Sequence, residues 1–575
     1  MRYRNDVRLL PAVMLFAATL LVGCRDNPLT VLNKQQPDVQ KAYGTPANVE
    51  SIVSKLFQQM WNGQNNVSDN IQTQSITMSF ESHSQLGNFG MGTRAAIPRS
   101  LIDNSIGNAV ATGNFRDYDQ MSRNARSATN SIAAINRFQA LTPPLSIGSP
   151  ARDARAKAWA YFNLGYAMGQ LALFYDSAAI ITPATPTAPE DPGSTPPFSP
   201  ASAVMAYALQ ALDSALAISN SAAATTGSNG WPIPTDWVSD PAGGGVSIAR
   251  FRQIVRSYKA KFRAGVARTP TARAAVDWTQ VIADATNGIT ADLLVQTSVT
   301  TGWGSSWITQ MRVSSGWSQM TPMILGMADT TGAYDNWLAV AVGSRTPQAF
   351  SVAGQAQEDK GILRTPDKRF PSGETRLAQI AVTGNTKGGP AAGSILYFRD
   401  RPVGEDTPAE PWGTWYYDNW RNWAIGAAGG NGPYPLFTVV ENDMLAAEGY
   451  LRTSQVALAA TLIDKSRVRA GLAPVTGIVD LTTPVPGGTK CVPRVPQAPN
   501  YTTTACGNIF EAMKWEKRTE TAFTGYGQWY VDSRGWGDLV QGTGLEWPVP
   551  YQELYSRQLP SYTNNVVAVK GTYGF

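Results

Sequence analysis

"ENDMLAAEGYLRTSQVALAATLIDKSRVRAG" spans Glu441 to Gly471. It divides into two helical runs, "ENDMLAAEGYLR" and "QVALAATLIDKSRVRAG", joined by a very short connection. Gly471 closes the second run as a C-cap, where the left-handed backbone favours glycine. Small residues stand where the two helices must approach each other. The stretch therefore reads as a helix–turn–helix unit.

The same unit recurs upstream. "SIARFRQIVRSYKAKFRAGVAR" ends near Thr269–Pro270, and "TARAAVDWTQVIADATNG" follows with Gly288 as its cap. "ARDARAKAWAYFNLGYAMGQLALFY" reads as one long helix and "SAVMAYALQALDSALAIS" as its partner. Between them "TPATPTAPEDPGSTPPFSP" cannot be helical and is expected to form an exposed excursion. "PANVESIVSKLFQQMW" places Val49, Ile52, Val53, Leu56 and Met60 at three- and four-residue spacing, and "DYDQMSRNARSATNSIAAINRF" completes the earliest pair. About four such pairs are present. A single pair cannot bury its apolar face alone, so pairs stack, which is the physical signature of tetratricopeptide-like repeats. Irregular spacing and long insertions argue against an open solenoid. The fold class is mainly α. Tetratricopeptide-like helix pairs form an α/α superhelical scaffold, with a large irregular loop-rich region packed against it.

That loop-rich region is expected over residues 289–435, where Gly, Ser and Thr rise and helical periodicity fades. Trp303, Trp307 and Trp317 lie in "GWGSSWITQMRVSSGW", and Trp412, Trp415, Trp420 and Trp423 in "PWGTWYYDNWRNW". Long ordered loops on a rigid scaffold commonly carry binding residues. A flat indole stacks on the apolar face of a pyranose while amides and carboxylates bond its hydroxyls. Trp303, Trp307, Trp317 and Trp337 are the candidate platforms, against the plainer reading of each ring as core.

Composition narrows the classes. Charged residues are 15% and aromatics 10% of the 575 residues, which excludes a disordered chain. A net charge of +5 without a long basic block argues against nucleic acid as the partner. His83 is the only histidine, so a zinc site or a Ser-His-Asp triad would have to be built around it; it reads as a loop residue in "SFESHSQLGNFG". No metal and no cofactor is expected.

At the N-terminus Arg2, Arg4 and Arg8 precede "LLPAVMLFAATLLVG", which runs up to Cys24. The pattern is that of an export signal, too short for a stable membrane span. "LVGC" resembles a bacterial lipobox, which implies cleavage before Cys24 and lipid on its thiol, with residues 1–23 as signal peptide. No other stretch reads as a span. The remaining cysteines, Cys491 and Cys506, flank "VPRVPQAPNYTTTA". Export places them in an oxidising compartment, where a disulfide closing a loop of ~15 residues is expected and contributes ~3 kcal/mol.

"WEKRTETAFTGYGQWYVDSRGWGD", Trp515 to Asp538, sets carboxylates among aromatics, as a glycosidase would need. Yet Glu516 and Glu520 stand at i and i+4 on one helical face, where they repel unless cations intervene. Arg518, Arg467 and Arg469 are the candidate partners, with Asp532 and Arg534 extending the network. A general acid needs a raised pKa, and neighbouring cations depress it. The stretch therefore reads as a structural ion-pair lattice that clasps the C-terminal segment to the last helix pair.

Taken in order, the lipobox, the helix pairs, "AEGYLRTSQVALAATLIDKSRVRAGL", "WEKRTETAFTGYGQWYVDSRGWG" and "WPVPYQEL" (Trp547 to Leu554) resemble the SusD/RagB family of outer-membrane nutrient-binding lipoproteins over essentially the whole chain. The family's run is similar to E-R-R-x-E-L-x-x-E-G-x-R-W; this chain departs from it at Thr521, Thr524 and Gln528 and carries one extra residue near Val531. The resemblance implies one SusD-like domain over 24–575, with scaffold at about 45–288 and 436–575. It implies a lipid-anchored protein at the outer-membrane surface, without enzymatic activity. Such a protein captures an oligosaccharide and delivers it to a TonB-dependent, SusC-like transporter. By position "FESHSQLGNFG" corresponds to a loop of the family's ligand site, which adds His83, Asn88 and Phe89 to the candidates. Three alternatives stand beside this: a peptide-binding member of the same family, an exported glycoside hydrolase, and a purely structural scaffold.

Overall fold

The computed structural model describes residues 39–575 apart from 84–85, 186–195, 227–229, 315, 385–387, 392, 404 and 406–414. The signal peptide, Cys24 and Trp412 lie outside the described residues.

Several helix starts follow from caps written in the sequence. α1 (Pro46–Asn65) begins with Thr45 accepting from the Asn48 amide and with Pro46 in the first turn. α2 (Ile71–Met78) is capped by Asn70, α3 (Ala111–Gln139) has no side-chain cap, and α4 (Pro150–Phe174) is capped by Ser149. α5 (Ala201–Ser219), α6 (Ile248–Gly265) and α7 (Trp278–Thr286) complete the N-terminal array. α8 (Val439–Arg452), α9 (Val456–Arg469), α10 (Ile509–Thr521) and α11 (Gln528–Trp536) follow the loop-rich segment.

The four expected pairs are neighbours in space: α1 with α3, α4 with α5, α6 with α7, and α8 with α9. Successive pairs stack, α3 on α4, α5 on α6 and α7 on α8. Glycine permits the closest crossings. A Cβ at Gly165 would come within 2.7 Å of Leu212, and one at Gly169 within 2.3 Å of the Phe262 ring. Mainly helical architecture on tetratricopeptide-like pairs is thus the observed fold, and the sheets among the described residues are all two-stranded.

One expectation is corrected. α5 is 19 residues long with a mean hydropathy of 1.4, so by length and composition it matches a membrane span. Its alanine-rich stripe, including Ala208, Leu212 and Ala215, is buried instead in the helix core. On either side of the Pro-rich segment, whose residues 186–195 lie outside the described residues, β1 (Ser177–Ala179) pairs antiparallel with β2 (Phe198–Pro200).

The segment 289–435 is irregular and contributes to a second apolar core. Short strands β3 (Leu293–Thr297), β4 (Phe398–Asp400), β5 (Tyr417–Asn419) and β6 (Gly432–Phe437) pair β3 with β6 and β4 with β5. Met320, Trp337, Phe350, Phe370, Phe398, Trp415 and Tyr417 pack together with Trp515, Phe523 and Trp529 from the C-terminal block. The same block sends Tyr526 and Tyr530 into the main helix core and Ile509, Met513 and Trp536 into a third cluster with α8 and α9. α10 and α11 therefore join three apolar clusters. A disulfide links Cys491 to Cys506, with Cα atoms 5.7 Å apart, across the hairpin of β7 (Arg494–Pro496) and β8 (Thr504–Cys506).

Candidate functional site

Asn508 caps α10 by accepting from the Glu511 amide at 3.0 Å, which sets the helix register. That register turns Glu516 and Glu520 to the same side, both buried at 0% and 2% exposure. The cation between them is Arg369, from the loop-rich segment. It donates through Nη1 to Glu516 at 2.8 Å and to Glu520 at 3.3 Å, and through Nη2 to Asp367 at 2.7 Å. Arg469 reaches Glu520 at 2.8 Å and Arg467 lies 3.6 Å from Glu516. The Ser466 hydroxyl stands 2.8 and 2.9 Å from the two carboxylates, and Tyr397 donates to Glu520 at 2.8 Å.

Two expected members take other roles. Arg518 does not pair with Glu516 or Glu520; it turns to Asp538, Ser533 and the Tyr573 hydroxyl. Arg534 has no carboxylate partner among the described residues and donates instead to the carbonyls of Leu545 (2.7 Å) and Gly265 (3.0 Å). Its place on α11 faces the end of α6, where free carbonyls need donors. Asp532 belongs to a second cluster, with Lys517 at 2.9 Å and Arg273 at 3.0 Å. Arg273 also binds Glu448 at 2.6 Å. Arg369 and Asp367 had no signal in periodicity or motif, whereas Glu448 and Lys517 stand inside the quoted stretches without a role assigned to them.

Burial opposes ionisation of Glu520, but Arg369, Arg469 and Arg421 outweigh it and hold the carboxyl at about 2. Glu448, under the same opposition from burial, is held at about 2 chiefly by Arg273. Burial pushes Glu516 upward, with Arg369 and Arg467 offsetting part of the rise. Both glutamates of the α10 face are buried among cations and polar side chains. Because the Glu520 value is depressed below its ordinary 4.5, its contribution is complete above that pH and lost as pH falls toward 2. The expected loss is on the order of 3 kcal/mol. Glu516 shifts the opposite way and trims the total. Acid unfolding followed by circular dichroism should show a steep limb between these pH values, and Glu520→Gln should flatten it. An identical limb in the variant would rule out this assignment.

The tryptophans correct a second expectation. Trp303 is 2% exposed and Trp307 and Trp337 are fully buried. The Trp303 ring lies 6.1 Å from Phe57 and 6.3 Å from Trp61. Trp307 donates to the Thr73 hydroxyl at 2.7 Å, and Trp337 stacks on Tyr334 at 6.0 Å. The Gly/Ser-rich loops are bonded down to α1: Gln58, Trp61 and Asn62 donate to the carbonyls of Thr301, Gly304 and Gly302. Enclosed rings cannot stack on a sugar, so these three are core residues. Trp415, Trp420 and Trp423 are buried as well.

What remains at the surface is a small rim. His83 is buried, and its amide donates to the Gln319 carbonyl at 2.5 Å, tying the loop at 80–90 to the loop at 314–319. Ser82 donates to the Trp317 carbonyl at 3.2 Å. Leu86 packs over Gly316, where a Cβ would sit 3.1 Å from its Cδ1. Trp317 and Phe89 are half-buried on the main core, and Asn88 is exposed beside Phe89. Phe89 is held at φ 56°, a left-handed conformation that aims its ring away from the regular path. The indole Nε1 of Trp317 is buried without a hydrogen-bond partner among the described residues.

No family model matches the sequence, and no curated protein does. Solved structures do. A SusD superfamily protein from Parabacteroides distasonis superposes with a TM-score of 0.51 at 10% identity, over 92% of this chain and 99% of the other. A SusD-like protein from Bacteroides fragilis superposes with a TM-score of 0.50 at 12% identity, over 87% of this chain and 88% of the other. The chain shares the fold of these two structures.

Proposed function

We propose that the protein is a non-catalytic, lipid-anchored protein of the outer-membrane surface. It captures an oligosaccharide nutrient and passes it to a TonB-dependent, SusC-like transporter. In this reading residues 1–23 are a removable export signal, Cys24 carries the lipid, and 24–575 act as one SusD-like unit. The observation that carries it is the SusD fold over most of the chain together with the family's motif order in the sequence. The enclosure of Glu516 and Glu520 supports binding over hydrolysis.

The ligand is held at the rim of Trp317, Phe89 and Asn88. Here the two loops meet, and half-exposed rings offer an apolar face next to an amide. Titration calorimetry of the full chain in detergent, against neutral oligosaccharides and against peptides, tests this. A stacked ring contributes on the order of 1 kcal/mol, so Trp317→Ala and Phe89→Ala should each weaken sugar binding roughly five- to tenfold. Binding of peptides alone would replace the sugar with a peptide ligand. Turnover of the sugar would overturn capture, and unchanged affinity in both folded variants would remove the rim from the site.

A further inference from the structure

Residues 522–527 join α10 to α11, and this short loop is bonded to the early part of the chain at several points. The Phe523 amide donates to Glu81 at 2.9 Å, Gln72 donates to the Gly525 carbonyl at 2.9 Å, and the Tyr526 hydroxyl donates to Asp117. The loop is bent sharply to make these bonds. Phe523 sits at φ 60°, a left-handed conformation that a residue with a Cβ rarely adopts, between a helix end and glycines at 58° and 62°. Such a conformation persists only while the loop's partners hold it.

Asp117 is the partner whose charge can change. It stands on α3, buried, with one oxygen accepting from the Ile71 amide at 2.9 Å, at the open N-terminus of α2, and the other from Tyr526. No cation among the described residues pairs with it: the adjacent Arg116 turns to Asp69 at 2.9 Å. The hydroxyls facing it from α4 are spent elsewhere, Tyr166 on Gln64 at 2.9 Å and Tyr175 on the Asn114 carbonyl at 2.6 Å. Against Gly525 stand Tyr434 of β6, donating to its carbonyl at 3.3 Å, and the Lys261–Glu441 pair of α6 and α8, 2.9 Å apart. A buried carboxylate with two neutral donors and no counter-ion is costly to keep charged. Burial pushes Asp117 up to about 6, although Tyr526, Ile71 and Arg116 each pull it down. Burial also raises Glu441, with Lys261 offsetting part of the rise. We propose that Asp117 is a proton-operated latch on the 522–527 loop, which is held tightly when the carboxyl is protonated and opens to water more readily when it is ionised. The neutral carboxyl keeps an acceptor for the Ile71 amide and gains an O–H donor of its own. The sign follows from linkage: the value in the closed loop lies above the ordinary 3.8, so the closed form gains as pH falls through about 6, and the gain is complete below 3.8. The latch does not depend on the rim being a ligand site.

Hydrogen–deuterium exchange of the full chain in detergent tests it, read as protection factors for peptides covering the 522–527 loop and α2 at about pH 5 and about pH 7.5. A shift from 3.8 to about 6 makes local opening roughly tenfold rarer at the lower pH. Asp117→Asn, neutral throughout, should be protected equally at both. Tyr526→Phe removes a donor to the charged form and should widen the difference. Equal protection of the unaltered loop at the two pH values overturns the proposal, and so does a looser loop at the lower one. A tenfold change that survives in Asp117→Asn overturns it as well and assigns the effect to Glu441. Should Asp117→Asn fail to fold, a Tyr526→Phe difference no wider than that of the unaltered chain decides against the latch.

Discussion

Replacing Arg369 with Met should lower the free energy of unfolding by about 5 kcal/mol, the upper end of the range for breaking a buried ion pair. The reason is the number of carboxylates left behind. Arg369 alone stands within bonding distance of Asp367, Glu516 and Glu520, and all four side chains are buried. Methionine fills comparable volume, so the loss is electrostatic and not a packing defect. Trp515 donates to Asp367 at 3.0 Å and keeps that carboxylate partly matched, whereas Glu516 retains only Arg467 at 3.6 Å and the Ser466 hydroxyl. Guanidinium unfolding monitored by far-ultraviolet circular dichroism measures the change. Adding Glu516→Gln to the variant should recover part of the loss, since the stranded charge is then gone. A loss below ~1 kcal/mol would mean that the lattice is solvated, as exposed pairs are.

Trp307→Ala should cost about 3–5 kcal/mol, the usual penalty for deleting a large enclosed ring. The Arg312 guanidinium lies 4.4 Å from the Trp307 ring centre and is paired with Glu81. Glu81 in turn accepts from the amide of Phe523 at 2.9 Å. Removing the indole therefore leaves a cavity and also strips one face from a buried cation that links three segments of the chain. Trp317→Ala, at a half-buried position, should cost much less stability. The opposite pattern, a stable Trp307→Ala that binds sugar poorly, would show that Trp307 is a surface platform and that the enclosed geometry is wrong.

The contrast between these two tryptophans shows where sequence reading reached its limit. Helix pairs were legible because each buried stripe repeats at helical spacing, and several starts carry a cap, as at Thr45, Ser149 and Thr438. Around Trp303 and Trp307 there is no period to assign a ring to one face. Gly and Ser gave the appearance of an open loop, while side chains of α1 were in fact bonding its carbonyls. The lattice was half legible. Glu516 and Glu520 announce their need for a cation by spacing alone, but the residue that meets it stands 147 positions away from Glu516 in an aperiodic loop. Arg467 and Arg469 were found because they sit on a helix next in sequence to α10. Arg534 was misassigned because a carbonyl partner leaves no trace in side-chain chemistry.

The clasp formed by α10 and α11 bears on time as well as on stability. A ribosome delivers Gln72, Glu81 and Asp117 early, yet their partners are the Gly525 carbonyl, the Phe523 amide and the Tyr526 hydroxyl, more than four hundred positions later. Contacts this distant in sequence make a chain slow to complete. Until those residues arrive, Gln72 and Asp117 lack these late partners and the apolar clusters that α10 and α11 join stand open. A nascent chain truncated before α10 should therefore remain a sticky, protease-sensitive intermediate that is locked only once α10 and α11 have been made.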